Sequence, residues 1–270
     1  MKKTNILSAC RISLEVVFHM AVAENEIEKI ADIIRQSNYL VVFTGAGIST
    51  ESGLPDYRGP EGVWTLREKG LKPKLPKKPM RLIEPNPSHY AVLDLYKLGY
   101  MKYLISQNVD NLHIKSGIPV EMIAELHGNS DRMKCLLCDT RFLKTEIGWE
   151  DYIYGKGYRT ETPRLNQPKC PHCEGRIISS VVNFNDPMPE KEMEDSEKHS
   201  KMCDVMLVIG STLSVFPAAN FPIIAKNSGA TLIIINMGKT ELDRLADIRV
   251  EAKSGEILPK IVQKIKNYLQ

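Results

Sequence analysis

Four cysteines and one histidine carry most of the chemical potential of this chain. Cys135-Leu-Leu-Cys138 and Cys170-Pro-His-Cys173 have the spacing of a zinc ribbon, two knuckles across a variable insert. Four thiolates complete a tetrahedral shell and leave no open position for water, so the zinc this pattern predicts is structural. His172 could replace a cysteine, but its place inside the knuckle reads as a bystander. His127 has a different promise. With a reference pKa of about 6.5, an imidazole moves protons near neutral pH. A lone histidine after a strand is usually structural, so its company decides its role.

That company is set by the residues that end each apolar run. Leu40–Thr44 ends in Gly45, and Tyr103–Ser106 in Gln107-Asn108-Val109-Asp110. Met122–Leu126 ends in His127-Gly128, Val205–Ile209 in Gly210-Ser211-Thr212, and Thr231–Ile235 in Asn236. In an open parallel sheet the carboxyl ends share one edge, where ligands bind. Small and polar residues from five distant places therefore meet at one crevice, large enough for a nucleotide and containing His127. Gly45-Ala46-Gly47 after a buried strand is where a backbone can approach a pyrophosphate. The usual fingerprint wants a third glycine, and position 50 is Thr. No helix is expected at once, because Gly53, Pro55, Gly59, Pro60 and Gly62 punctuate the next turns. On spacing alone, nucleotide binding and a plain strand–turn both remain open. The long loop nevertheless carries Asp56, Tyr57, Arg58 and Trp64, a specific mix for a linker.

The other elements frame this crevice. Glu24–Ser37 sets Ile27, Ile30, Ala31, Ile33 and Ile34 on one helical face. Arg67–Arg81 holds seven Lys/Arg against one Glu, with Pro73, Pro76 and Pro79. It reads as an exposed basic connector, either a solvated face or a contact for an acidic partner or nucleic-acid backbone. Asn86-Pro87-Ser88 opens a helix to about Leu98, stopped by Gly99. Ile177–Val182 is a further β-branched run, and Glu190–Cys203 a charged, exposed helix. Asp204–Ile209, a helix near Pro217–Asn227 and Thr231–Ile235 form a βαβ unit. A last helix runs from about Ser254 to Leu269. The expected fold is α/β, a Rossmann-like parallel sheet (24–130 and 177–270) with a small zinc-ribbon domain (131–176) inserted.

At 270 residues and 43% apolar content the chain can bury one large core and a small module. A net charge of +3 neither demands nor excludes nucleic acid. Six cysteines, four of them in CxxC pairs, suit metal ligation in a reducing compartment, and the expected location is cytoplasmic. Cys203, before a core strand, reads as a small buried apolar residue. No apolar run is long enough to span a bilayer. Residues 1–23 begin like a signal peptide, but Arg11, Glu15 and His19 interrupt the apolar stretch, so a disordered or non-native leader is expected.

Taken together, GAGISTESGLPDYRG, SQNVDNLH, the LHG around His127, the cysteine pairs, GSTLSVFPA and the IIIN strand resemble the sirtuins, NAD-dependent protein-lysine deacylases. The likeness runs from about Glu24 to the C-terminus. YRGPEGVWT, with its tryptophan, and the short proline-rich connector look most like the class IV subgroup. The resemblance implies NAD and an acyl-lysine protein meeting in the cleft between a Rossmann-like and a zinc-ribbon domain, in a protein expected to be monomeric. By matching motif, Ala46, Thr50, Asp56, Tyr57, Arg58 and Trp64 would contact NAD from the first loop. Gln107, Asn108 and Asp110 would line the ribose and nicotinamide pocket. Gly210 and Thr212 would lie by the phosphates and adenine-side ribose, Asn236 and Gly238 by the adenosine, and Ser254 near its closing end. Val181–Pro189 would pair with substrate backbone as an added strand.

The chemistry so implied consumes NAD. Nicotinamide leaves as a neutral ring, the amide oxygen of acyl-lysine attacks the ribose carbon, and water is excluded. Asn108 and Asp110 would hold the carboxamide, and Asp110 would favour the developing positive charge. His127 would take a proton from a ribose hydroxyl, whose attack yields free lysine and O-acyl-ADP-ribose. His113, on the turn after Asp110, reads as structural. Two departures stand out. Phe184-Asn185-Asp186 lies where many relatives carry aromatic-Gly-Glu, which bears on acyl and peptide preference. Gly210-Ser211-Thr212 reverses the commoner Gly-Thr-Ser, an order that preserves the hydroxyls. Mono-ADP-ribosyl transfer at the same site is the nearest alternative. A non-catalytic zinc ribbon binding nucleic acid through Arg67–Arg81 is a second. An ordinary NAD dehydrogenase is disfavoured by the missing third glycine.

Overall fold

The structure, a computed structural model, describes residues 24–74 and 76–269. The leader and Cys10 lie outside the described residues. Helix α1 (24–36) carries its isoleucines inward and delivers the chain to β1 (Leu40–Thr44), which is buried throughout. Helix α2 (Val63–Glu68) comes after the long loop, and α3 (Pro87–Lys97) begins where the sequence signals it. Asn86 caps α3 by accepting from Ser88 N at 2.9 Å, and Pro87 fills the first position, where a missing N–H costs nothing. β2 (Met101–Ser106), α4 (Leu112–Ser116) and β3 (Ile123–Glu125) come next. Then β4 (Arg132–Cys135), β5 (Arg141–Leu143), α5 (Asp151–Tyr154) and β6 (Ile177–Ser179) make the cysteine-bearing part. The chain closes with α6 (Glu190–Met202), β7 (Val205–Ile209), α7 (Asn220–Asn227), β8 (Thr231–Ile235), β9 (Ile248–Val250) and α8 (Ser254–Asn267).

Six strands form one parallel sheet in the order β3-β2-β1-β7-β8-β9. Alternation along the strands splits the core into two layers. Leu40, Val42, Leu207, Ile209, Ile233 and Ile235 face α1, α3 and α8. Val41, Phe43, Met206, Val208, Leu232 and Ile234 face the other way, toward Phe221 and Ala225 of α7. The sheet is Rossmann-like, with helices on both faces. β9 escapes a reading of the sequence because it is three residues long with Arg249 in the middle.

A second, antiparallel sheet has the order β5-β4-β6. Ile177 opens a strand of this small sheet, so the β-branched run after Cys173 pairs there and not with the large sheet. Helix α6 is less exposed than its charge suggests. Glu192, Ser196 and Ser200 are buried along one stripe, and Glu192 meets Arg141 of β5 at 2.6 Å. This ion pair joins the two sheets' surroundings.

The glycines after β1 behave differently from the sequence expectation. A seven-residue 3₁₀ helix, Ala46–Ser52, starts directly after Gly45 and ends at Gly53 in the left-handed region. Gly47 N donates to Gly210 O at 2.8 Å. A Cβ on Gly47 would lie 2.7 Å from Gly210 Cα, and one on Gly210 only 2.3 Å from Ile48 N. These glycines let the loops after β1 and β7 touch backbone to backbone. Gly210 also has φ of +62°, so a side chain there is strained as well as crowded. Gly210→Ala is expected to lose about 1–3 kcal/mol of stability. Chemical denaturation checks it; an unchanged midpoint would mean the loops separate at no cost.

Candidate active site

The edge formed by the carboxyl ends of β1, β2, β3 and β7 gathers the residues expected there. His127, after β3, is largely buried, and its Nδ1 lies 2.9 Å from the carbonyl oxygen of Gln107. A carbonyl only accepts, so Nδ1 carries the proton and Nε2 keeps its lone pair. Burial lowers the His127 pKa, partly offset by the Gln107 carbonyl, so the neutral ring persists below the ordinary histidine range. Gln107 binds sideways too, its Nε2 donating to Ser211 Oγ at 2.9 Å. One residue thus links the ends of β2, β3 and β7.

Asp110 is buried and held by two donors. Ser49 Oγ donates to Oδ2 at 2.7 Å and Leu112 N to Oδ1 at 2.9 Å. Burial raises the Asp110 pKa, while these bonds favour the carboxylate. Asn108 Nδ2 reaches Gly45 O at 3.2 Å and Ser49 Oγ at 3.3 Å. Behind Ser49 stands His89, whose Nδ1 accepts from Asn86 N, leaving its Nε2–H directed at Ser49 Oγ, 3.5 Å away. His113 Nε2 lies 3.0 Å from Thr44 Oγ1, fully enclosed, which suits a structural role. Burial lowers its pKa well below the usual value, and neighbouring His89 adds to this.

A cleft of about 200 Å³ opens over this network. Ser49, Asn108 and Asp110 form its polar side, while Ala46, Leu54, Pro55, Val63, Val109, Pro76 and Met80 make the rest apolar. Tyr57 also lines it, and Thr50 bonds back to Gly47 O at 2.9 Å. Asp56 does not face the cleft with a free carboxylate. It accepts from the backbone of Gly59, closing its own turn. Arg58 pairs with Glu68 at 3.1 Å, and Trp64 packs edge-on against Phe184 with ring centroids 5.6 Å apart. Farther along the edge, Thr212 Oγ1 meets Ser214 Oγ at 3.0 Å. Asn236 Nδ2 donates to Met237 O and Gly238 O. Ser254 is buried and commits its hydroxyl to Ser88 Oγ at 2.7 Å, tying α8 to α3.

The four cysteines converge away from this cleft. Cys135 and Cys173 sulfurs lie 3.5 Å apart, Cys138 and Cys170 sulfurs 3.6 Å apart, and all four fall within 4.8 Å of one another. Zinc–sulfur bonds of about 2.3 Å in tetrahedral array require about this spacing. Gly175 leaves the room, since a Cβ there would sit 2.8 Å from Cys135 Sγ. The donor set fits a closed structural zinc. His172 stacks on Phe142 at 5.7 Å and stays out of the cluster.

The family model described as Sir2 family matches residues 45–217. NAD-dependent protein deacylase 2 of Archaeoglobus fulgidus is 37% identical over 261 residues, 90% of this chain and 97% of that one. This chain belongs to the Sir2 family. Among solved Sir2 structures, Sir2Af2 bound to a myristoylated histone peptide aligns with TM-score 0.64 and 36% identity, over 91% of this chain and 98% of that one. A Sir2 complex with p53 peptide and NAD+ aligns with TM-score 0.68 and 27% identity, over 90% and 98%.

Both departures of this Sir2-family chain have a local explanation. Asn185 takes φ of +70°, a left-handed conformation that glycine adopts freely and asparagine tolerates. The turn expected of aromatic-Gly-Glu is therefore available to Phe184-Asn185-Asp186. In the reversed pair, Ser211 serves Gln107 and Leu213 N, while Thr212 faces Ser214. Sequence reasoning missed Ser49, His89 and Arg249. Arg249 pairs with Asp243 at 2.7 Å and donates to the carbonyls of Asn236 and Gly238, bracing that loop. The only available signal was an arginine between two β-branched residues.

Cys138→Ser should lose bound zinc and unfold the small antiparallel sheet, read by metal content and protease sensitivity; undiminished zinc would exclude Cys138 as a ligand. Buried His89 is pushed down to about 4 from 6.5, so the unfolded chain binds its proton first as pH falls. Stability is then lost from about pH 6.5 downward, by about 2 kcal/mol at pH 5 from this residue. His89→Gln should flatten that part of the profile of melting temperature against pH.

Proposed function

We propose that the chain is an NAD-dependent protein-lysine deacylase that releases nicotinamide and moves the acyl group to ADP-ribose. The observation that carries this reading is the Gln107 carbonyl at His127 Nδ1, which leaves Nε2 unprotonated. The ring stands at the carboxyl edge of the sheet, where β3 ends beside the β2 end that leads to Asn108 and Asp110, though it is not itself in the cleft lining. NAD supplies a ribose carbon joined to a pyridinium leaving group. His127 Nε2 accepts a proton from a ribose hydroxyl. Asn108 and Asp110, braced by Ser49, orient the carboxamide, and Asp110 carries charge complementary to the positive centre that develops. The apolar flank of Leu54, Val63, Val109, Pro76 and Met80 keeps water out and gives an acyl chain apolar contact. Asp56 and Ser254, whose polar side-chain atoms bond within the protein, would act by shaping the loops.

Val181–Pro189 offers an edge to substrate backbone, with Val182 N already bonded to His127 O at 2.9 Å. The tryptophan of YRGPEGVWT supports class IV membership. Two separate sheets support the division into a nucleotide-binding part (24–130 and 177–270) and an inserted metal module (131–176), with β6 just past the second boundary. No helix among the described residues is long and apolar enough to cross a membrane. Reduced cysteine chemistry supports a cytoplasmic setting, and a monomer is the working assembly.

Incubation with NAD and acetyl-, succinyl- and myristoyl-lysine peptides should yield nicotinamide, free lysine and acyl-ADP-ribose in step, seen by mass spectrometry. ADP-ribose appearing on protein instead would favour transferase chemistry. His127→Ala should cut deacylation by at least about 10²-fold while NAD binding stays within a few-fold. Full turnover in that variant would remove His127 from the mechanism.

A further inference from the structure

The cations of the stretch 67–81, from the end of α2 toward α3, take no part in the deacylation chemistry, and their charge is out of scale with the protein. Residues 67–81 carry seven Lys/Arg and one Glu, a net +6, in a chain of net +3. Everything outside this stretch is therefore net −3. Among the described residues, Lys74 alone of the connector's cations pairs with a carboxylate, Glu61 at 2.8 Å. Lys69, Lys72, Lys77, Lys78 and Arg81 are exposed and have no such partner.

Prolines 73, 76 and 79 recur every three residues, and the backbone bends at Lys77 and Lys78. Pro73 and Pro76 are half-buried, and Pro76 lines the cleft, while the intervening lysines face water. Both ends are anchored. Leu71 N donates to Leu66 O at 2.8 Å, and Lys115 Nζ donates to the carbonyls of Arg81 and Ile83. Pro76 and Met80 line the cleft that holds Asn108 and Asp110, so the neighbouring exposed lysines form a rail of cations along its rim.

We propose that this rail selects protein substrates whose acyl-lysine is flanked by Asp and Glu. The inference rests on the deacylase reading, which places an acyl-lysine in the adjoining cleft. A peptide held there brings its flanks to the rail at high effective concentration, so individually weak surface pairs add up. Nucleic acid fits less well. Residues 69–81 contain no aromatic side chain on which bases could stack, and the remaining net negative surface repels a long polyanion.

The test compares two fluorescent acetyl-lysine peptides, one with acidic and one with Ser/Gly flanks. Binding is followed by anisotropy on the full chain and, separately, KM and kcat with NAD. The acidic peptide should bind about tenfold tighter at ~0.05 M salt, with the advantage nearly gone at ~0.5 M. KM should carry the preference and kcat should not. The variant Lys72→Gln/Lys77→Gln/Lys78→Gln should lose it, keep turnover of the neutral peptide, and regain it when the three are Arg. Equal binding of both peptides, or a preference that survives in the Gln variant, overturns the proposal. So does a short DNA duplex that outcompetes the acidic peptide for the rail. Because anisotropy needs no turnover, absence of deacylation would count against the enzyme reading and leave the rail decided by binding.

Discussion

The structure depends on two loops touching where side chains would forbid it. Gly47 and Gly210 bring the ends of β1 and β7 into backbone contact, with a hydrogen bond of 2.8 Å between them. That contact sets where the 3₁₀ helix Ala46–Ser52 lies, and so where Ser49 sits relative to Asp110. It also brings Ser211 under Gln107. Catalytic geometry is thus inherited from a packing requirement, and the glycines do structural duty before any ligand arrives.

From that junction a chain of polar contacts runs inward. His127, Gln107 and Ser211 form one line; Asn108, Ser49, Asp110 and His89 form another. Each buried group has its orientation fixed by a neighbour of known donor or acceptor type, a prerequisite for polar groups in low dielectric. The apolar remainder of the cleft raises the worth of these interactions by excluding water. Burial pushes His127 toward its neutral form and Asp110 toward protonation, and the hydrogen bonds temper both.

The metal module is held by a different balance. Its core consists of Met133, Cys135, Phe142, Trp149, Cys170 and Ile177, too little apolar surface to fold alone, and two of those residues are ligands. A zinc ion held by the four cysteines would replace the missing core. The Arg141–Glu192 pair at 2.6 Å then ties the module to α6 of the larger part.

Sequence alone determined the parallel sheet, the edge where the site lies, the zinc spacing and the family, because these arise from local patterns: apolar runs of strand length, the small polar residues ending them, and paired cysteines. Its element bounds fell within a few residues for β1, α3 and β8. Tertiary structure decided the rest. Only packing shows that Gly47 meets Gly210, that Ile177 pairs in the small sheet, that Ser254 is turned to Ser88 and Asp56 to its own turn, and that Ser49 and His89 stand behind Asp110. Most of these contacts join residues far apart in the chain, and no local periodicity encodes a distance between them. Which nitrogen of His127 carries the proton is likewise absent from the sequence, since a carbonyl on another strand chooses it.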